Sequence, residues 1–95
     1  MAKYEAMFIL DPSLSDDDNK ATLDDVKKII KGVKGKVENE NVWGERKLAY
    51  KINKSERGFY VLFDLEIDGT SIKDMNQKLN LNKNVWRYMF VKQES

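Results

Sequence analysis

An α+β domain with the element order βαββαβ is the fold class this sequence predicts, and three observations carry the prediction. Apolar residues recur at helical spacing at Leu23, Val26, Ile30 and Val33, and again at Ile72, Met75 and Leu79. Apolar runs rich in β-branched and aromatic residues stand before, between and after these stripes. Turn signals at Asp11-Pro12, Asn53–Arg57 and Asp68-Gly69 separate the runs.

Taken in order, Tyr4–Leu10 is the first strand, and Asp11-Pro12 ends it because proline cannot donate to a ladder. Ser15 followed three positions later by Asp18 has the form of a capping box, so the first helix runs from about Asp16 to Lys31. Gly32 and Gly35 suit a left-handed exit from it. Lys36–Ile52 reads as a long second strand bent at Gly44, with Glu38–Asn41 marking an exposed edge. Asn53–Arg57 is a polar turn, and Gly58 leads into Phe59–Ile67, the most β-prone run of the chain, which belongs in the middle of a sheet. Ser71 and Asp74 supply a cap for a short second helix bearing the Ile72, Met75 and Leu79 stripe, and Val85–Lys92 is the fourth strand. This order is the ferredoxin-like arrangement, a four-stranded antiparallel sheet with two helices on one face and the other face open.

Side-chain alternation then assigns faces. In the first and fourth strands Ala6, Phe8, Leu10, Tyr88 and Phe90 are expected to face the helices, because Glu5 and Arg87 have the opposite parity. That leaves Met7, Ile9, Met89 and Val91 on the open face, and a contiguous apolar set of this kind needs a partner. The third strand leaves two arrangements open. Asp64 and Glu66 share parity with Tyr60 and Leu62, and a bulge partway along would switch the faces.

Ninety-five residues make one domain, 1–95. The chain has no cysteine and no histidine, which removes a disulfide framework, the usual zinc ligands, the common near-neutral acid–base group, and Cys/His or Ser/His/Asp nucleophiles. Asp16, Asp17 and Asp18 are consecutive at a helix start, where capping and the helix dipole account for them. Glu38 and Glu40 share a strand face without a candidate partner nearby. The glycine-rich phosphate loops are missing as well. No catalytic residue, metal, cofactor or small-molecule substrate is therefore expected. Met1–Glu5 lacks the apolar core of a signal peptide and no segment reaches membrane-spanning length, so a soluble intracellular chain without a membrane partner is expected.

Seventeen basic residues against sixteen acidic ones give a net charge of +1, which is small for a nucleic-acid binder, so distribution matters more than the total. Aspartates crowd positions 11–25, and the lysines from Lys27 to Lys36 that follow complement a helix C-terminus. A second basic run, Arg46, Lys47, Lys51, Lys54 and Arg57, lies on a strand that restrains its cations. Arg46 brings a planar donor fork suited to phosphate, which points to a polyanion. Neighbouring strand residues point to opposite faces, so one of Arg46 and Lys47 is expected to reach such a polyanion, and the fork selects Arg46. Arg57–Phe63 approximates the aromatic motif of RNA-recognition domains but lacks the small residue after its first aromatic. Phe59 and Val61 then share a face, and an aromatic-rich core strand is the simpler reading.

Gly44, Arg46, Lys47, Leu48, Ala49, Tyr50 and Ile52 satisfy the pattern Gly-x-(Arg/Lys)-basic-Leu-(Ala/Ser)-Tyr-x-Ile. With Tyr4-Glu5, Leu10-Asp11-Pro12, Gly58-Phe59-Tyr60 and Asn84–Lys92 in the same order, the chain resembles the bacterial ribosomal small-subunit protein six family nearly end to end. Ala2 stands where members often carry arginine, and Trp86 where a basic or small apolar residue is common. The resemblance implies a non-catalytic, cytoplasmic constituent of the small ribosomal subunit that binds central-domain small-subunit ribosomal RNA together with small-subunit protein eighteen. A near-neutral domain binds RNA weakly alone, because sequence-independent affinity scales with the phosphates neutralised, and a basic partner would supply the missing cations. The expected RNA contacts are Lys3, Tyr4, Arg46, Lys47, Lys54, Arg87 and Lys92, each with a solvated surface position as its alternative. The expected partner contacts are Met7, Ile9, Met89 and Val91. For the whole chain the alternative is a ligand-sensing or protein-interaction module of the same shape without RNA binding, and salt-dependent retention on ribosomal RNA separates the two.

Overall fold

A computed structural model describes residues 2–93; Met1, Glu94 and Ser95, included in the domain read as 1–95, lie outside the described residues. The elements are β1 (Ala2–Leu10), α1 (Asp16–Gly32), β2 (Lys36–Ile52), β3 (Ser55–Ile67), a 3-10 turn (Gly69–Ser71), α2 (Ile72–Leu79) and β4 (Val85–Lys92). All four strands form one antiparallel sheet in the order β2-β3-β1-β4, so β3 runs in the middle and β2 and β4 are the edges. The fold is ferredoxin-like, as expected.

Helix α1 begins where Ser15 Oγ accepts a hydrogen bond from Asp18 N at 3.1 Å, with three aspartates in the first turn facing the positive end of the dipole. Its buried stripe is Leu23, Val26 and Ile30. The exit differs from expectation. Lys34 adopts the left-handed conformation (φ 61°), whereas among the described glycines only Gly44 has positive φ. Gly35 is needed for closeness instead: a Cβ there would stand 2.5 Å from Ile67 Cγ2 and 3.0 Å from the Ile30 carbonyl oxygen. The start of α2 differs too. Asp68 Oδ1 accepts from Thr70 N (3.1 Å) and Thr70 Oγ1 (3.0 Å), capping the 3-10 turn, while Ser71 is already helical and its side chain makes no capping bond.

The main core lies between helices and sheet, where Ala6, Phe8 and Leu10 meet Val61, Phe63, Leu65 and Ile67 beneath Val26, Ile30, Met75 and Leu79. Phe8 packs edge-on to Phe63 and Phe90, with ring centroids 5.5 and 6.2 Å apart. The open question about β3 is resolved by register. Pairing with β1 runs unbroken from Ala2 opposite Ile67 to Leu10 opposite Phe59, so no face switches and Tyr60, Leu62, Asp64 and Glu66 all line the open side. The bulges are in the edge strands. β2 slips against β3 between Val37 and Asn39, between Val42 and Gly44, and most widely between Lys47 and Ile52, and β4 slips against β1 between Val85 and Arg87. The β2–β3 turn is also tighter than the polar segment suggests. Ile52 pairs with Ser55, leaving Asn53 and Lys54, both left-handed (φ 49° and 66°), as a two-residue loop of type I′ character.

Candidate functional site

The open face is built in rows that cross the strands at paired positions, and their chemistry changes in order along the sheet. Lys36, Glu66 and Lys3 form a charged row; Asn39, Asp64, Glu5 and Val91 a partly acidic one. Asn41, Leu62, Met7 and Met89 form an apolar row, and Gly44, Tyr60, Ile9 and Arg87 the last before the hairpin tip. Met89 and Val91 are each 51% exposed, large apolar side chains left in water on a rigid edge strand. Met7 and Leu62 beside them are half-buried.

The last row is not open in the way the alternation suggests. The wide slip before Ile52 lets the hairpin curl, so that Leu48 and Ile52 fold onto Ile9 and form a second small core with Tyr60 and Trp86. Gly58 permits this approach, since a Cβ there would lie 2.5 Å from Ile9 Cγ2 and 3.1 Å from Leu48 Cδ2. Ile9 is therefore covered by the chain itself, at 6% exposure, rather than free for a partner. Trp43, the unpaired residue of the second β2 bulge, stacks on Tyr60 (centroids 6.3 Å apart, planes at 18°) and extends the apolar surface at this end.

The basic candidates separate into two groups. Arg46 stands opposite Gly58 on the open side and Lys47 opposite Arg57 on the helix side, so the pair alternates as expected. Arg57 is engaged with Glu45 (Nε to Oε2, 2.7 Å), and Arg46 Nη1 donates to its neighbour's carbonyl, Glu45 O, at 3.1 Å. Arg87 occupies the row of Tyr60 and Ile9, and Lys54 the hairpin turn, so Arg46, Lys47, Lys54 and Arg87 gather toward one end of the sheet. Lys3 and Lys92 lie toward the other end, where Gln93 N donates to Lys3 O. Six residue steps along β1 from Lys3 to Ile9 put about 20 Å between the groups. Tyr4 belongs to neither. It shares parity with Ala6 and Phe8, is 9% exposed in the main core, and its hydroxyl is 2.8 Å from where a Cβ on Gly69 would stand.

Glu40 does have a partner. The slip after Val37 turns it toward α1, where Lys27 Nζ reaches Oε2 at 2.6 Å, so this lysine serves an ion pair between elements. Phe59 packs against the main core and Phe63 is buried in it, so of the aromatics in the near-match to the RNA-recognition motif only Tyr60 lies on the open face, where Trp43 stacks on it. Among the described residues no group of three or more His, Cys, Asp or Glu side chains could hold a metal, and no helix is long and apolar enough to cross a membrane. Sequence reasoning missed Leu62, Tyr60, Trp43 and Trp86 as open-face residues. The parity that Tyr60 and Leu62 share with the charged Asp64 and Glu66 could have found the first two; the tryptophans are bulge residues, which alternation cannot orient.

The antiparallel order β2-β3-β1-β4 with an open face apolar at its centre places the chain in the class of ferredoxin-like domains with an exposed sheet surface. Residues 3–92 match the family described as Ribosomal protein S6, and the chain belongs to that family. It is 39% identical over 94 residues to small ribosomal subunit protein bS6 of Fusobacterium nucleatum subsp. nucleatum, a match covering 99% of this chain and 100% of the relative. Against the bS6 of Saccharopolyspora erythraea the identity is 42% over 87 residues, covering 92% of this chain and 74% of the relative. The crystal structure of 30S ribosomal protein S6 from Thermotoga maritima superimposes with a TM-score of 0.89 at 28% identity, covering 97% of this chain and 87% of that one. The C-terminal domain of the MgtC protein from Mycobacterium tuberculosis reaches a TM-score of 0.63 at 8% identity, which shows a shared fold alone.

Proposed function

We propose that this chain, a constituent of the small ribosomal subunit in the cytoplasm, binds central-domain small-subunit ribosomal RNA jointly with small-subunit protein eighteen. The observation that carries the proposal is the exposed apolar surface of the open face, with Met89 and Val91 half in water beside Met7 and Leu62. Such a contiguous surface on a rigid sheet fits a protein partner. Charge supports a basic one. Glu5 and Asp64 stand directly opposite each other in the register, a like-charged pair that costs stability, and no cation among the described residues forms an ion pair with either. A cationic side chain from the partner would relieve that repulsion. Arg46, Lys47, Lys54 and Arg87 at one end, and Lys3 and Lys92 at the other, are the proposed phosphate contacts.

Joint binding is tested by measuring affinity for a central-domain RNA fragment with and without small-subunit protein eighteen. RNA binding is expected to strengthen markedly when the partner is present. Equal affinities in the two cases would sink the cooperative reading.

A further inference from the structure

Tyr50 is the large aromatic side chain that the fold leaves unused. It is 66% exposed, in the stretch of β2 between Lys47 and Ile52 that has no partner in the β3 register. Leu48 and Ile52 on either side of it turn inward, at 8% and 2% exposure, so the irregularity that buries them holds Tyr50 outward. The ring is thus presented from a segment whose neighbours are pinned in a small core, which limits the ordering cost of using it.

What surrounds the ring is basic. A hollow of about 250 Å³ beside it is lined by Lys47, Leu48, Ala49, Tyr50, Lys51 and Glu56. Lys47 forms no ion pair among the described residues, and Lys51 has only a 4.0 Å contact with Glu56 on the exposed surface. A flat aromatic face beside the unpaired ammonium group of Lys47 and the weakly paired one of Lys51 matches a nucleotide, which offers a π-face and a phosphate together; an apolar protein side chain would leave the charges unused.

We infer that the β2–β3 hairpin tip is a nucleobase-stacking subsite, in which Tyr50 takes the face of an unpaired RNA base while Lys47 and Lys51 meet the flanking phosphates. The base must be unpaired, because a base within a duplex keeps its face stacked on its neighbours. RNA crossing the tip in this way meets cations from both sides of β2, Arg46 on one and Lys47 on the other. The inference rests on the proposed RNA binding and adds to it a contact that is not electrostatic.

The test is titration of the central-domain RNA fragment, with small-subunit protein eighteen present, at several salt concentrations. Tyr50→Ala is expected to weaken binding about tenfold or more, without changing the slope of log affinity against log salt, while Tyr50→Phe stays within about twofold of the parent. Parent-like binding by Tyr50→Ala would overturn the inference, as would an equal loss in Tyr50→Phe. A loss of partner binding by Tyr50→Ala in the absence of RNA would reassign the ring to protein docking. Failure of the unsubstituted protein to bind the RNA would instead overturn the underlying RNA reading, and the subsite with it.

Discussion

Arg46 and Lys47 are neighbours in sequence and opposed in space, one beside the open face and one beside Arg57. Arginine presents a planar fork to phosphate and lysine a point charge, so their removal has different consequences. Arg46→Ala is expected to cost about 1–3 kcal/mol of RNA affinity in the presence of the partner and to lower the salt slope by about one. Lys47→Ala lowers the slope by the same amount when RNA crosses the hairpin tip and leaves it unchanged when RNA lies only on the Arg46 side. Salt titrations of the two variants distinguish these cases. Unchanged slopes for both would assign the signature cations to fold and protein docking. At the same scale, the parity that put Ala6 and Phe8 inside also buries Tyr4, so its place in the core was legible beside its neighbours.

At the scale of elements, small residues and caps decide how strands bend and helices begin. Gly58→Ala would drive a methyl group into Ile9 and Leu48, and overpacking of this kind costs about 1–3 kcal/mol. Urea denaturation is expected to register that loss, together with weaker amide protection around Leu48 and Ile52 as the hairpin lifts. Parent-like stability would show that the hairpin core adjusts without strain. At the start of α2, the Thr70 backbone N–H, then its hydroxyl, hold the Asp68 carboxyl below the usual aspartate value. A pKa lowered by folding contributes stability that is complete above the unfolded value and is lost as pH falls through the folded one. Carboxyl NMR titration is expected to place Asp68 below an ordinary exposed aspartate. A midpoint at or above the ordinary value would contradict the cap.

For the molecule as a whole, a net charge of +1 supplies little attraction for RNA, so the distribution of cations and the apolar face must act together. Met89 and Val91 are exposed on an edge strand, and aspartate at either position leaves the core untouched. At position 89, in the apolar row with Met7, that carboxylate would be desolvated in a complex without a partner, at a cost on the order of several kcal/mol. Met89→Asp is therefore expected to keep a native circular dichroism spectrum while losing most of its affinity for small-subunit protein eighteen. Undiminished partner binding by this variant would move the docking surface elsewhere. Ile9→Asp is unsuited to the experiment, because Leu48 and Ile52 already cover that side chain.

The number, kind and order of the elements are legible along the chain, as is the parity of β1 and β4 that faces the helices. These follow from periodicities of 3.6 and 2 that each segment carries alone. The family is legible as well, through a signature that sits on contiguous residues from Gly44 to Ile52. Tertiary structure alone decided where alternation breaks. Trp43 and Trp86 turn at bulges, Glu40 reaches Lys27 after a slip, and the curled hairpin covers Ile9 while leaving Tyr50 exposed. The physical reason is that register is a relation between strands distant in sequence. An extra residue in one strand is recognisable only against the partner that fails to match it, and every side chain beyond it then points according to the pairing rather than to local parity.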